Sequence, residues 1–366
     1  PLRHSGPSYQ VHIAPAMSAR ESLRILLAST SGKAGVVLLM TLVTVSLVVL
    51  IRLPLNFGSQ QWNNPTEWAD NPKSVPPDWV RLFGGSDSLR HQVYKASAPT
   101  FGAETTSKGY TFNYEHTQDT PPTFISLSIS NVQFQGDPPL ILLEVVRPDQ
   151  RKLRLLQKVI RGARSEETTP IIRYAEMPLR VYVSGDEESL AATAEYLRQQ
   201  FQVDVAPREL QGRLEEVLFG TPDTMGSGKY VPLHGQYQFT IRALVRDPAD
   251  SIGDIKLVMA GTHFGFMGTD ALGRDLALGL LFGFPVALTI GLITALLASA
   301  IGTSLGILSG YMGGKTDIAI QRFADVWSNI PLLPILIFLI FIFGQKLWLV
   351  MVILIIFGWP GLAIVV

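Results

Sequence analysis

Leu276 to Gly314 reads LALGLLFGFPVALTIGLITALLASAIGTSLGILSGYMGG, 39 residues without one charged side chain. A helix needs about 20 apolar residues to cross the hydrocarbon core. This run is too long for one crossing, and Pro285 is expected to divide it into a short interfacial helix and a span over 286–309. Working outward, Ala34 to Ile51 is a second uncharged run, extended by Leu53 and Leu55 beyond Arg52. Val326 to Gln345 and Leu347 to Val366 are two more, separated by the Gly344-Gln345-Lys346 turn and expected to form a tight helical hairpin. The expected fold is a polytopic α-helical membrane protein with four spans, 34–55, 286–309, 326–343 and 347–366.

The charges lie elsewhere. The 366 residues carry 30 Lys or Arg and 30 Asp or Glu. Between Phe57 and Gly265 stand 21 of the bases and 25 of the acids in 209 residues. That density is ordinary for a soluble domain, whereas the flanks are nearly bare of charge. A soluble α+β domain over 56–265 is therefore inserted into the membrane chain, between a 1–33 tail and a 266–285 entrance segment. Zero net charge argues against nucleic acid as a partner. With no cysteine, disulfide scaffolds, thiolate zinc sites and cysteine nucleophiles are excluded.

Orientation follows from bases near the span ends. Arg3, Arg20, Arg24 and Lys33 in the tail, with Lys315 and Arg322 between the second and third spans, outnumber Arg52, Arg274 and Lys346 on the opposite side. The N-terminus is expected inside and the insert outside. A signal peptide is the competing reading of 34–51, but the run is longer than such a region and no small-residue cleavage site follows. The chain begins at Pro1 and stops within an apolar run at Ile364-Val365-Val366, so it is expected to be a piece of a longer protein.

Within the insert, alternation predicts strands around Tyr110, Phe112 and Tyr114 and over Ile125–Ile129, with a buried strand over Leu140–Val146. Leu179–Val183, a helix over Glu187–Phe201 and Val203–Val205 read as a strand-helix-strand unit. Leu210, Leu214, Val217 and Leu218 mark another helix, and Phe239–Val245 and Ile255–Met259 read as closing strands. Residues 56–99 read as an irregular lead-in. Arg147 to Arg164 holds seven bases and one acid; the spacing of Leu153, Leu156 and Ile160 predicts a solvated helix face rather than an anion site. His91, His116 and His234 stand alone, in no metal-ligand spacing. No catalytic constellation is present, so an enzyme has no residue-level support.

Two glycine strings mimic phosphate loops. Gly310 to Thr316 ends in Gly-Lys-Thr but has Ser309 where the loop requires glycine, and Gly226-Ser227-Gly228-Lys229 is followed by Tyr230. Neither supports ATP hydrolysis.

In the membrane part, Gly291, Ala295, Ser299, Gly302, Gly306 and Gly310 form one small-residue face suited to close helix packing. Before it stands Gly268-Thr269-Asp270-Ala271-Leu272-Gly273-Arg274-Asp275, in which Asp270 is expected to cap the next helix. Trp327, Asn329, Pro331 and Pro334, at the start of the third span, are candidate pathway residues. A string of G-T-D-x-x-G-R-D, an apolar span, Gly310-Tyr311-x-Gly313-Gly314-x-x-Asp317, Arg322-Phe323-Ala324-Asp325-Val326, Pro331 and Gly358-Trp359-Pro360-Gly361 resembles the C-type permease subunit of the oligopeptide/dipeptide/nickel family of ABC importers. That resemblance implies a type I ABC permease-like bundle moving peptides or similar solutes across a prokaryotic cytoplasmic membrane. It also implies a second permease subunit, two cytoplasmic ATPase subunits and an extracytoplasmic solute-binding protein, with no cofactor on this chain. The family joins its first span to G-T-D-x-x-G-R-D by a much shorter segment. It continues past the fourth span with an ATPase-docking loop and two more spans. A membrane-anchored sensor or solute-binding protein is the alternative.

Overall fold

A computed structural model describes residues 19–54, 56–83, 88–164, 167–223 and 228–366. Leu55, Arg3, most of the N-terminal tail and Gly226-Ser227 lie outside the described residues. The chain forms two compact units. One holds the chain up to Phe57 together with Leu280–Val366, and the other is Gly58–Gly279.

In the first unit, α1 (Ala19–Ala28) leads into α2 (Thr30–Arg52), whose start is capped by Ser29 accepting from the Gly32 amide at 2.9 Å. α5 is one continuous helix, Leu276–Met312, with Pro285 inside it. The division expected at Pro285 does not occur. Proline removes one helical N–H and deprives the Leu281 carbonyl of its helical donor, which an apolar helix accommodates by local adjustment; one turn on, the Thr289 hydroxyl adds a bond to the Pro285 carbonyl at 2.8 Å. At 37 residues α5 is roughly 55 Å long, well beyond a hydrocarbon core of about 30 Å.

The segment expected as a loop between the second and third spans is helical, α6 (Gly314–Ser328), followed by α7 (Leu332–Phe343) at a bend of 71°. Pro331 sets the break. It has no N–H to donate, and the residue before it avoids helical backbone, so the apolar run from Val326 is shared between two helices. Gly344 turns the chain with φ +81° into α8 (Leu347–Gly358), and α9 (Pro360–Val365) follows after Trp359. Among the described residues three helices are long and apolar enough to cross a membrane, or four if the bent α6–α7 pair counts as one.

The second unit is built on two four-stranded antiparallel sheets. Strand order is β1-β12-β3-β8 in one and β2-β11-β5-β6 in the other, and two-stranded ribbons pair β4 (Val132–Phe134) with β7 (Ile171–Arg173) and β9 (Gly220–Pro222) with β10 (Tyr230–Pro232). The first sheet comprises β1 (Gln92–Ala96), β3 (Ile125–Ile129), β8 (Leu179–Tyr182) and β12 (Ile255–Met259). The second comprises β2 (Ser107–His116), β5 (Leu140–Val146), β6 (Lys152–Val159) and β11 (Gly235–Leu244). α3 (Glu187–Phe201) and α4 (Leu214–Leu218) complete the unit. One hydrophobic core joins both sheets to both helices, through residues such as Tyr110, Leu127, Leu143, Leu197, Val217 and Leu257.

Three local expectations fail here. Leu153, Leu156 and Ile160 belong to a strand and its exit, not to a helix. β6 pairs Leu143 with Leu156 but Glu144 with Arg154, so Leu155 is an extra, bulged residue. A bulge reverses the in-out alternation, which puts Leu153 and Leu156, three apart, on one buried face and imitates helical spacing. Val203–Val205 forms no strand: Gln202 ends α3 in left-handed backbone at φ +57°, and the chain runs unpaired into the turn at Pro207. Nor do the histidines all stand alone. His116 is fully buried with its ring 6.0 Å from that of His234, which reaches Asp119 at 3.1 Å.

Candidate functional site

The motif Gly268–Asp275 is folded as a tight loop on the segment that follows α2. Thr269 is buried; its hydroxyl donates to the Pro72 carbonyl at 2.7 Å, and its amide donates to the Val75 carbonyl at 3.0 Å. Ser74 donates its amide to the Asp270 carbonyl at 2.9 Å, and the Asn71 side chain donates to the Gly273 carbonyl at 3.0 Å. Both glycines are required by this closeness. Gly268 has φ +75°, and a Cβ there would fall on the Val75 carbonyl; Gly273 has φ +80°, and a Cβ would lie 2.8 Å from the Trp68 carbonyl.

Asp270 organises the turn instead of capping the helix. Its Oδ1 accepts from the amides of Leu272 and Arg274 at 2.9 and 3.0 Å, and its Oδ2 accepts from Arg274 Nε at 2.6 Å. Partial burial pushes this carboxyl up, and the bonds from Arg274 and Leu272 outweigh it, so its pKa is lowered. The cap of α5 is Asp275, whose Oδ1 accepts from Ala277 N at 2.9 Å and Leu278 N at 3.4 Å. The reason is position: the helix begins at Leu276, so only Asp275 reaches the free amides of its first turn. The Arg274 guanidinium lies over the Trp62 ring at 4.5 Å.

The loop is in turn tied to the sheets. Asp70 accepts from Lys256 of β12 at 2.7 Å and pairs with Arg180 of β8 at 3.1 Å, while Arg180 also donates to the Thr66 carbonyl. Trp62, Trp68, Asp70, Asn71 and Pro72 fall in the stretch whose sequence predicts an irregular lead-in. Their sole sequence signal is a density of Trp, Asn and Pro, because their partners lie some 200 residues away.

The small-residue face of α5 divides in two. Gly302 and Gly306 are buried against α9: a Cβ at Gly302 would lie 2.6 Å from the Trp359 carbonyl, and one at Gly306 would lie 2.8 Å from Val366 Cβ. Gly291, Ala295, Ser299 and Gly310 are exposed. Between α5 and α6, the Ser309 hydroxyl donates to Asp317 at 2.6 Å.

Trp327 donates its indole N–H to the Ile356 carbonyl at 2.9 Å and stacks on Phe357. Asn329 donates to the Asp325 carbonyl at 2.7 Å, closing the end of α6, and Pro331 and Pro334 begin α7. A cavity of about 400 Å³ lies between α2, α5 and α8, lined by Leu50, Pro285, Thr289, Ile293, Trp348 and Met351 among others, and none of these four candidates lines it. Its walls are apolar, and the Thr289 hydroxyl is committed to Pro285. Among the described residues no group of three His, Asp or Glu side chains is placed to hold a metal ion.

Comparison with known proteins adds one decisive observation. Residues 302–366, the end of α5 with α6 to α9, match the family described as binding-protein-dependent transport system inner membrane component. Residues 302–366 are thus similar to a family of permeases. The chain is 40% identical over 108 residues to the oligopeptide transport system permease protein OppC of Haemophilus influenzae, covering 30% of this chain and 34% of that protein. It is 39% identical over 101 residues to the inner membrane ABC transporter permease protein YejE of Escherichia coli, covering 28% and 30%. With the dipeptide transport system permease protein DppC of Lactococcus lactis it shares 36% over 96 residues, covering 26% and 28%. The chain thus spans about a third of the length of these permease relatives. No solved structure matches it.

Proposed function

We propose that this chain is part of the membrane-spanning permease subunit of an ABC importer for peptides or similar small solutes, with ATP hydrolysis carried out by separate subunits. The observation that carries the reading is the family match over α6 to α9, supported by the peptide transport named for the relatives. In this reading the chain crosses a prokaryotic cytoplasmic membrane four times, with α6–α7 as a bent crossing. The bias of basic residues puts the N-terminus inside and the sheet-rich unit outside. Its partners are a second permease subunit, two cytoplasmic ATPase subunits and an extracytoplasmic solute-binding protein. ATP binding closes the ATPases, and the permease pair switches between inward and outward access as rigid bodies.

The folded loop Gly268–Asp275 then forms the outer end of the second crossing. Gly302 and Gly306 serve helix packing, and Trp327, Asn329, Pro331 and Pro334 shape the bend near the pathway. Affinity purification of the full-length protein in mild detergent tests the reading. ATPase and second permease subunits are expected to co-purify with it, and recovery of the chain without any ATPase subunit overturns the assignment.

A further inference from the structure

Large apolar side chains gather in the open beside the first turn of α5. Phe83 is 85% exposed, Leu82 77%, Phe266 75%, Trp79 47% and Met267 38%. They come from two chain segments that are bonded together. The Trp79 indole donates to the Phe266 carbonyl at 2.9 Å, Asp78 donates its amide to the Gly265 carbonyl at 2.9 Å, and the rings of Trp79 and Phe83 meet edge-on at 6.3 Å. The same loop is fastened to the membrane helix, because the Leu276 amide donates to the Gly268 carbonyl at 3.2 Å. Phe266 is two residues from that carbonyl, so it stands within roughly 8 Å of it at 3.8 Å per residue.

We propose that Trp79, Leu82, Phe83, Phe266 and Met267 form a foot that sinks into the headgroup region of the lipid bilayer around the start of α5. The occupant is the bilayer because the patch is continuous with an apolar helix that begins beside it. A contiguous apolar patch facing water calls for a cover, and lipid is the cover nearest to hand for a helix of this composition. The chemistry agrees. Trp is enriched at membrane interfaces, Phe and Leu accompany it on the apolar faces of segments that lie in them, and the Trp79 N–H is already satisfied by a carbonyl, so the ring needs no water. The two charges of the 78–83 turn, Asp78 and Arg81, balance each other, and the long Arg81 stem can carry its head outward. The proposal requires only that α5 enter a bilayer, so its failure leaves the transport reading standing.

The chain contains no cysteine, so single labels are placed without background. Leu82→Cys, Phe83→Cys and Met267→Cys, each carrying an NBD fluorophore, are compared in the full chain in phosphatidylcholine nanodiscs with Val159→Cys on β6, an exposed position far along the sequence. All four sites face outward, and a native circular dichroism spectrum verifies folding. Iodide is expected to quench the three foot positions about threefold less than position 159, and doxyl-phosphatidylcholine to quench the foot positions alone. Iodide quenching equal to that at 159 overturns the proposal. Protection from iodide without doxyl quenching also overturns it, because the face is then covered by protein.

Discussion

The hydroxyl of Thr269 donates to the carbonyl of Pro72 across a separation of 197 residues, with both groups buried. This bond locks the approach to α5 onto the chain that has just left α2. Thr269→Val keeps the shape and removes the donor, leaving the Pro72 carbonyl unpaired at a cost of about 1–3 kcal/mol. Thermal melting of the full chain in detergent should fall by several degrees for Thr269→Val and stay near wild type for Thr269→Ser. Equal melting of both variants contradicts the clasp.

Arg147 makes a second prediction. Its guanidinium is fully buried at the end of β5, donates to the carbonyls of Val217 at 3.0 Å and Gly220 at 2.8 Å, and lies 3.4 Å from Asp149. It therefore satisfies the end of α4 from a neighbouring sheet. Arg147→Met removes both donors and leaves Asp149 without this partner, so a loss of about 3 kcal/mol is expected in denaturant unfolding. Arg151→Met is the control. That side chain is half-buried, lies over the Phe201 ring and pairs with the same Asp149 at 3.1 Å, so its loss should be about 1 kcal/mol.

The small-residue face of α5 predicts a contrast between glycines. Gly302→Leu and Gly306→Leu drive side chains into the backbone of α9 and should lower the yield of monodisperse protein through overpacking of about 1–3 kcal/mol or more. At Gly291 nothing lies within 4 Å, so Gly291→Leu should purify normally from the chain alone. Equal yields for all three variants, by size-exclusion profile, would refute the division of the face.

Glu215 sets a pH dependence. It is buried on α4 with Oε1 lacking a hydrogen-bond partner, and burial pushes its carboxyl from 4.5 up to about 6. A raised carboxyl holds its proton more tightly in the folded state. The stability it lends is full below about 4.5 and is lost as pH rises through about 6. Glu215→Gln should therefore raise the melting temperature near neutral pH by a few degrees, with little change near pH 4. His116 acts from the other side. Burial, with His234 adding to it, lowers its pKa to about 4, so stability is lost as pH falls from about 6.5 towards 4. Melting curves from about pH 4 to 8 check both slopes, and a Glu215→Gln difference that is constant across the range excludes the assignment.

Where a pattern is local, the sequence is readable. α3 runs over Glu187–Phe201 as its apolar face implies, started by Asp186 accepting from Glu188 and Ser189 amides. β3, β5 and β12 occupy Ile125–Ile129, Leu140–Val146 and Ile255–Met259, because alternation or an unbroken apolar run marks a buried strand. β6 is misleading because one bulged residue, Leu155, changes the period. Pro285 is misleading because its usual effect is assessed against water, and an apolar helix has no better place for its backbone. The loop Gly268–Asp275 is visible as a string, but the contacts that hold it, to Pro72, Val75 and Asn71, leave no mark at that distance. The capping role moves from Asp270 to Asp275 for a similar reason: both acids suit a cap, and only the helix start decides between them.

The meeting of residues 71–78 with 264–276 also bears on how such a chain could come to exist. A long insertion usually exacts an entropic toll on the host, because its two ends wander apart. Here Ser74, Val75, Asp78 and Asn71 hold the returning chain before it re-enters the apolar helix. The chain leaving the sheets is thereby brought back beside the chain that enters them, so the stretch between closes on itself at that knot.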